Sequence, residues 1–148
     1  MLTFRIARKK WVGTLTGSGV PGRWNRSGER IIYTSSSLAL ALLEILVHIQ
    51  PDQIPDDYWY VIAEFSEDLV EILDIVPEDT QMAGSKWLSD RGRSAILQVP
   101  SVIVPENNFL LNPEHTDFSQ IRWSEPTPLQ IDPRLTRGFI RRFRGTQI

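Results

Sequence analysis

The feature that most constrains the fold is an apolar stretch from Leu38 to Val47 that is interrupted only by Glu44. Strong helix formers dominate this stretch, serines able to cap a helix precede it, and Pro51 follows it, so the pattern predicts a helix. Around a helix, these apolar side chains point in every direction. The helix should therefore be largely buried, with the rest of the chain folded around it.

Short runs of alternating or branched apolar residues surround this helix and predict about six strands. They are Thr3–Ala7, Arg30–Ser35, Tyr58–Phe65, Ser94–Pro105, a run from Asn107, and one or two segments between Gln120 and Leu135. A second, short helix is expected at Ser85–Arg93, and the glycine-rich segment Thr14–Glu29 is expected to be a loop. A chain of 148 residues supports one substantial core. We therefore predict a single α+β domain, with short antiparallel or mixed strands around one long buried helix.

Composition excludes several classes of protein. The formal net charge of −2 gives no bulk reason to expect a nucleic-acid partner or an anionic membrane. There is no cysteine, and the two histidines, His48 and His115, lie far apart, so neither a disulfide scaffold nor a metal site is expected. The apolar stretch is well short of the roughly 20 residues that span a bilayer. The amino terminus has no signal-peptide pattern, so we expect a soluble protein.

Glu44 is the residue that most needs an explanation, because burying an unpaired carboxylate costs several kcal/mol or more. One explanation is structural: His48, four residues on, or Arg5, Arg23 or Arg30 forms an ion pair with it. The other is functional: Glu44 lines a pocket, contacts a ribose hydroxyl and stabilises positive charge that develops on a sugar. In that case Arg5 and Arg23 are suited to bind a pyrophosphate, because a guanidinium group binds phosphate oxygens bidentately.

Other residues also have two interpretations. Tyr33 ends the strand before the helix, and is either a core aromatic or a ring at the mouth of the pocket. Ser101 follows Pro100, where serine usually forms a turn, and nothing like G-x-S-x-G surrounds it as a nucleophile would require. The four arginines of residues 136–148 predict a solvated face or a partner-docking segment.

Three blocks of the chain, in this order and spacing, resemble the RES domain family, which is named for an arginine, a glutamate and a serine. The blocks are GRWNRSGERIIYTSSSLALALLEILVH, VPSVIVPENNFLLNPEH and DPRL, and the resemblance runs from about Arg5 to Leu135. It implies a RES domain over residues 1–135 and a basic tail over residues 136–148. The block NPEHTD departs from the family's frequent N-P-x-H-P at Thr116.

The resemblance also implies a site. The family's arginine, glutamate and serine correspond to Arg23, Glu44 and Ser101, which would be the catalytic residues. Glu44 would hydrogen-bond the nicotinamide ribose of NAD and stabilise an oxocarbenium-like transition state. Arg5 and Arg23 would hold the pyrophosphate. Tyr33 would stack on the nicotinamide, and Ser101 would hydrogen-bond the cofactor.

Members of the family are bacterial toxins of type II toxin–antitoxin systems, usually encoded with an Xre-family helix-turn-helix antitoxin, and their fold is similar to that of ADP-ribosyltransferases. The resemblance implies a cytoplasmic enzyme that consumes NAD without a metal, cleaves the nicotinamide–ribose bond and arrests growth. Water as acceptor makes it a glycohydrolase. Phosphate makes it a phosphorylase, with Arg30 or Arg93 as an extra cation, and a protein or small molecule makes it a transferase.

A catalytically silent interaction domain is the alternative from a different class. In such a domain Glu44 and the arginines would form only a structural network, and the basic tail would dock a partner. Direct binding of nucleic acid by this chain is a distant third reading, because the net charge is −2 and no helix-turn-helix pattern is present.

Overall fold

A mixed eight-stranded sheet organises the computed structural model, which describes residues 1–50, 54–90 and 93–135. In chain order its strands are β1 (Leu2–Arg8), β2 (Ile32–Ser35), β3 (Tyr58–Glu64), β4 (Val70–Ile72), β5 (Ile96–Pro100), β6 (Asn107–Leu111), β7 (Arg122–Trp123) and β8 (Thr127–Pro128). The helices are α1 (Lys9–Val12), α2 (Leu38–Leu46) and α3 (Thr80–Ser89), with 3-10 turns at Glu67–Leu69 and Thr116–Gln120. The predicted α+β class is confirmed.

The strands lie in the order β4-β5-β6-β2-β1-β3-β7, and β8 also pairs with β3. Among the pairings in the described part of the chain, β4 with β5 is parallel and the others are antiparallel. Phe4 of β1 lies opposite Ser35 of β2, and Ser35 lies opposite Asn108 of β6. The centre of the sheet thus brings together three segments that are far apart in the sequence.

The sheet is covered on both faces, and β5 and β6 show this directly. Ile96 and Leu111 belong to one buried cluster, while their neighbours Leu97 and Leu110 belong to a second. This division follows from the strand geometry, in which successive side chains point to opposite faces. The second cluster also contains Trp24 of the glycine-rich loop and Trp87 of α3, so that cluster joins the loop and the helix to the sheet.

The prediction of one long buried helix is wrong. α2 has nine residues, of which only Leu40 and Ala41 are buried, and α3 has ten. The apolar sequence of α2 suggested burial on all sides, but part of its surface faces a cavity rather than the core. Its beginning was predicted correctly, because the Ser37 hydroxyl caps the helix by accepting a hydrogen bond of 3.0 Å from the Leu40 amide.

A further difference concerns the start of helix α3. α3 begins at Thr80 rather than Ser85, because the Asp79 carboxylate caps it by accepting from the Met82 amide at 2.9 Å.

In the described ranges, no helix is long and apolar enough to cross a bilayer. Residues 136–148, predicted as a basic tail, lie outside the described residues, so the domain boundary at residue 135 stays a prediction. The likeness to ADP-ribosyltransferases stays a prediction as well.

Candidate functional site

A cavity of about 490 Å³ opens between α2, the central strands and the glycine-rich loop. Four parts of the chain contribute to its lining: β1, the loop that leads into β2, helix α2 with the residues just after it, and the segment from the end of β5 into β6. The lining includes Phe4, Ile6, Arg23, Tyr33, Glu44, His48, Ile103 and Asn108. Most of these side chains are apolar or aromatic, and few are charged. Such a cavity, apolar with a few convergent polar groups, is typical of a small-molecule site.

Glu44 is held in this cavity through one of its two carboxylate oxygens. Oε1 accepts hydrogen bonds from the Ser101 hydroxyl at 2.9 Å and from the Asn108 side-chain amide at 2.7 Å. The Ser35 hydroxyl donates to Asn108 Oδ1 at 2.8 Å, which fixes the orientation of that amide. Within the described residues, no protein hydrogen bond reaches Oε2 of Glu44. The carboxylate is therefore oriented by two neutral donors and keeps one oxygen for a ligand.

The structure does not contain the ion pair that the structural interpretation of Glu44 required. Across the ranges that the structure describes, no lysine, arginine or histidine nitrogen lies within 4.0 Å of its carboxylate. His48 lines the same cavity one turn further along, yet it forms no ion pair with Glu44. Instead of a cation, two uncharged side chains satisfy the half-buried carboxylate.

Arg23 reaches the cavity from the glycine-rich loop. Its guanidinium donates one hydrogen bond of 3.2 Å to the Pro100 carbonyl and lies 5.2 Å from the centre of the Trp24 ring. Stacking on an aromatic face holds a guanidinium in place and leaves most of its N–H donors unused. Arg23 is therefore suited to bind an anion inside the cavity.

Tyr33 has its hydroxyl inside the protein and part of its ring outside. The hydroxyl donates to Asn25 Oδ1 at 2.5 Å and accepts from the Trp24 amide at 3.2 Å, while 38% of the residue is exposed. Burial of the hydroxyl raises the pKa of Tyr33 to about 12, and the nearby charge of Glu29 acts in the same direction. Tyr33 thus stays neutral and offers an anchored ring to the cavity.

Ser101 supports Glu44 rather than lining the cavity itself. Its hydroxyl donates to Glu44 and accepts from the Ile103 amide at 3.1 Å. The Ser101 amide donates to the Glu106 carbonyl at 2.9 Å, so the residue also fixes the turn between β5 and β6. In the structure the Ser101 hydroxyl thus donates to a cavity carboxylate, and its predicted hydrogen bond to a cofactor stays a prediction.

The structure does not bring Arg5 to the cavity, which corrects the expectation that it contributes to the pocket. Phe4 and Ile6 line the cavity, and the alternation of a strand places Arg5 on the other face of β1. There its guanidinium donates to the Trp11 and Val12 carbonyls at 3.1 and 2.6 Å. Arg5 therefore holds the carboxyl end of α1.

The two arginines suggested for a phosphate acceptor also lie elsewhere. Arg30 lines a second, more open cavity, together with Arg26 and Lys86. Arg93 forms an ion pair with Glu71 of β4. In the described part of the chain, Arg23 is the one arginine that lines the cavity containing Glu44.

Sequence reasoning missed two asparagines that organise the site. Asn108 orients Glu44, and only the pairing of β2 with β6 shows that the two residues meet. Asn25 is 1% exposed, anchors Tyr33, and donates to the Val20 and Glu29 carbonyls, both at 2.9 Å. The signal for Asn25 that the sequence offered was its place beside a tryptophan in a glycine-rich loop.

The described residues contain no group of three or more side chains placed to hold a metal ion.

Comparisons with known proteins agree with one another. The RES domain matches residues 2–132. Toxin Res of Yersinia enterocolitica is 36% identical over 152 aligned residues, which cover 91% of this chain and 99% of the relative. The Prs ADP-ribosylating toxin of Sphingobium sp. is 35% identical over 88% of this chain and 92% of its own length.

A solved structure supports the fold independently. A chain in the crystal structure of the M. tuberculosis MbcT–MbcA toxin–antitoxin complex matches 93% of this chain and 87% of its own length, with a TM-score of 0.65. The sequence identity is 14%, so this likeness concerns the fold alone. The match over residues 2–132 and the 36% identity to Toxin Res lead to one conclusion: the chain belongs to the RES domain family.

Proposed function

We propose that this protein is the toxin of a toxin–antitoxin pair and that its cavity binds NAD and cleaves the bond between nicotinamide and ribose. The observation that carries the proposal is the placement of Glu44, oriented through Oε1 with Oε2 free, in the same cavity as Arg23 and Tyr33. A carboxylate, a cation and an aromatic ring are the three groups that such a substrate requires.

Each group has a distinct task in binding. Arg23 holds the pyrophosphate, because its stacked guanidinium has spare donors that match phosphate oxygens. Tyr33 stacks on the nicotinamide, whose positive charge favours the face of an aromatic ring. Glu44 accepts a hydrogen bond from a ribose hydroxyl through Oε2. The apolar residues between them exclude water and so strengthen these interactions.

The reaction follows from the charge of the substrate. When the bond from the anomeric carbon to the ring nitrogen breaks, both bonding electrons go to the nitrogen, which loses its positive charge, and nicotinamide leaves as a neutral molecule. The positive charge moves to the ribose, where the Glu44 carboxylate stabilises it. The oxygen of the acceptor then bonds to the anomeric carbon, and with water as acceptor the released proton goes to solvent.

A specific observation favours ADP-ribosyl transfer as a second candidate. The relative from Sphingobium sp., 35% identical to this chain, is named an ADP-ribosylating toxin. Transfer and hydrolysis share every step up to the oxocarbenium ion and differ only in the acceptor. Water is the simpler acceptor here, because Arg30 and Arg93 lie away from the cavity and, among the described residues, Arg23 is the one arginine that lines it.

The proposed partner is an antitoxin with an Xre-type helix-turn-helix domain. The MbcT–MbcA structure, which shares the fold, is itself a toxin–antitoxin complex. In this proposal the antitoxin carries the DNA-binding function of the pair. That division agrees with a net charge of −2 on the present chain.

Product analysis after incubation with NAD tests the proposal. The purified chain, freed of any partner, should release nicotinamide together with ADP-ribose if water is the acceptor. Added phosphate should change the second product only for a phosphorylase, and a labelled protein should appear only for a transferase. Glu44→Gln should reduce release at least about 100-fold, because it removes the charge that stabilises the transition state.

The matched control is Glu67→Gln, which makes the same change at an exposed carboxylate far along the chain. This variant should keep wild-type activity, and circular dichroism should show that both variants fold. Nicotinamide release that persists unchanged in folded Glu44→Gln would exclude the proposed role of Glu44. No release from folded wild-type protein would favour the interaction-domain alternative.

A further inference from the structure

One side of helix α3 contacts the loop that carries Arg23. The Thr80 hydroxyl donates a hydrogen bond of 2.7 Å to the carbonyl oxygen of Arg23 itself. The Gln81 side-chain amide donates to the carbonyls of Gly22 and Asn25, at 2.9 and 3.2 Å. Three backbone carbonyls of the loop, at Arg23 and on either side of it, are thus held by the first turn of α3.

The next turn of α3 contacts the same loop. The Ser85 hydroxyl donates at 2.6 Å to Oε1 of Glu29, which also accepts from the Arg26 amide at 3.2 Å. At Gly84 the helix and the loop approach so closely that an added Cβ would lie 1.7 Å from the Trp24 carbonyl oxygen. Because that oxygen belongs to the backbone, only a shift of the loop or the helix could relieve the contact.

α3 is itself fixed to the core, so it can serve as a support. Trp87 is 1% exposed and packs in the same cluster as Trp24 and Leu97. Its indole donates a hydrogen bond of 3.0 Å to the Ser94 hydroxyl at the start of the segment that leads into β5. Movement of α3 would disrupt this cluster, so the helix holds the loop at a defined distance from the sheet.

The side chain of Arg23 has few restraints of its own. Among the described residues it makes one hydrogen bond, of 3.2 Å to the Pro100 carbonyl, and it stacks on Trp24. Its backbone, in contrast, is held by Thr80, and the backbone of Trp24 is held against Gly84. The position of the Arg23 guanidinium in the cavity therefore depends on where α3 places the backbone of Arg23 and Trp24.

We propose that α3 is the positioning element for the anion-binding arginine, with Thr80 and Gly84 as positioning residues that act on the substrate through Arg23. This inference rests on the proposed function only in that Arg23 takes the pyrophosphate of NAD. Since Arg23 binds this group in the ground state and in the transition state alike, loosening α3 should raise KM and leave kcat nearly unchanged.

A pair of Thr80 variants tests the inference. Thr80→Val keeps the shape but removes the hydroxyl, and should raise KM for NAD about fivefold, the usual effect of one hydrogen bond. Thr80→Ser keeps the hydroxyl and should restore KM to within about twofold of wild type. Ser89→Ala, at the far end of the same helix, removes a hydroxyl that donates to the Lys86 carbonyl within α3, and it serves as the control. Gly84→Ala should have the largest effect on KM.

A double-mutant cycle separates positioning from general destabilisation. In an Arg23→Ala background, Thr80→Val should have no further effect on KM, because the residue through which it acts is gone. Equal effects of Thr80→Val in both backgrounds would overturn the inference, as would a wild-type KM in folded Thr80→Val protein.

Hydrogen exchange provides a readout that does not depend on NAD. Amides of residues 22–30 should exchange faster in Thr80→Val than in Ser89→Ala, whereas amides of β6 should be unchanged. Unchanged exchange in the loop would overturn the inference even if the enzyme consumes NAD. Faster exchange in the loop would support it even if the protein proved inactive on NAD, in which case the proposed function alone would fail.

Discussion

The Ser101 hydroxyl donates a hydrogen bond of 2.9 Å to Oε1 of Glu44, joining the turn after β5 to the middle of α2. Asn108 donates to the same oxygen at 2.7 Å. Both donors are uncharged, so they orient the carboxylate without the competing cation that would neutralise it. Within the described residues, the carboxylate of Glu44 is thus oriented without an ion pair.

Ser101→Ala should lower kcat about tenfold with little change in KM. The hydrogen bond to a charged acceptor is lost, and Glu44 then samples orientations that do not stabilise the transition state. Initial rates of nicotinamide release over a range of NAD concentrations would measure both constants. A Ser101→Ala enzyme with wild-type kcat would show that Asn108 alone orients Glu44.

The ring of Tyr33 should matter more than its hydroxyl for binding. Tyr33→Phe keeps the stacking surface and loses the hydrogen bonds of the hydroxyl to Asn25 and to the Trp24 amide, so KM should rise about threefold. Tyr33→Ala removes the ring and should raise KM at least about tenfold, in line with the contribution of an aromatic stacking or cation–π contact. Equal KM values for the two variants would mean that the ring does not contact the substrate.

The buried hydroxyl of Tyr33 should make the free energy of unfolding depend on pH. Its pKa rises from 10.0 to about 12 on folding, because burial disfavours the phenolate. The folded state therefore binds the proton more tightly, so this contribution to the free energy of unfolding is complete below pH 10.0 and is lost as pH rises toward about 12. Urea unfolding of wild type and Tyr33→Phe at about pH 9 and about pH 11 should show a stability difference that shrinks at the higher pH.

Arg5→Gln should lower stability without affecting substrate binding. The variant removes both hydrogen bonds of the Arg5 guanidinium. The Trp11 carbonyl keeps the Thr14 amide as a donor, whereas the Val12 carbonyl loses its bond to Arg5, which should cost about 1–2 kcal/mol of the free energy of unfolding. Thermal unfolding would measure the loss. The comparison is Arg23→Gln, which should raise KM for NAD. A rise of KM in Arg5→Gln at unchanged stability would restore the sequence-based expectation that Arg5 binds the pyrophosphate.

Local patterns in the sequence were sufficient for the elements with a clear period. The apolar run at Leu38 predicted α2, and the aromatic and branched residues after Tyr58 predicted β3. The start of α3 was missed because its first turn is polar and faces a loop instead of a core. β4, three residues long and paired along one side with β5, has too few residues to show a period.

The site required information that no local pattern contains. Arg23, Tyr33 and Glu44 were singled out by sequence, and the structure places all three at one cavity. Asn108 was not singled out, because its contact with Glu44 depends on the register between β2 and β6. The alternation of β1 already opposed a role for Arg5 in the pocket, since Phe4 and Ile6 occupy the other face of the strand.

The pairing of β2 with β6 also affects when activity can appear during synthesis. The ribosome completes Arg23, Tyr33 and Glu44 early, but Asn108 and the strand that holds β2 in register come much later. A nascent chain that ends before β6 therefore has the anion-binding loop and the carboxylate without the support that orients them. The proposed activity would therefore appear only after β6 has left the ribosome and paired with β2.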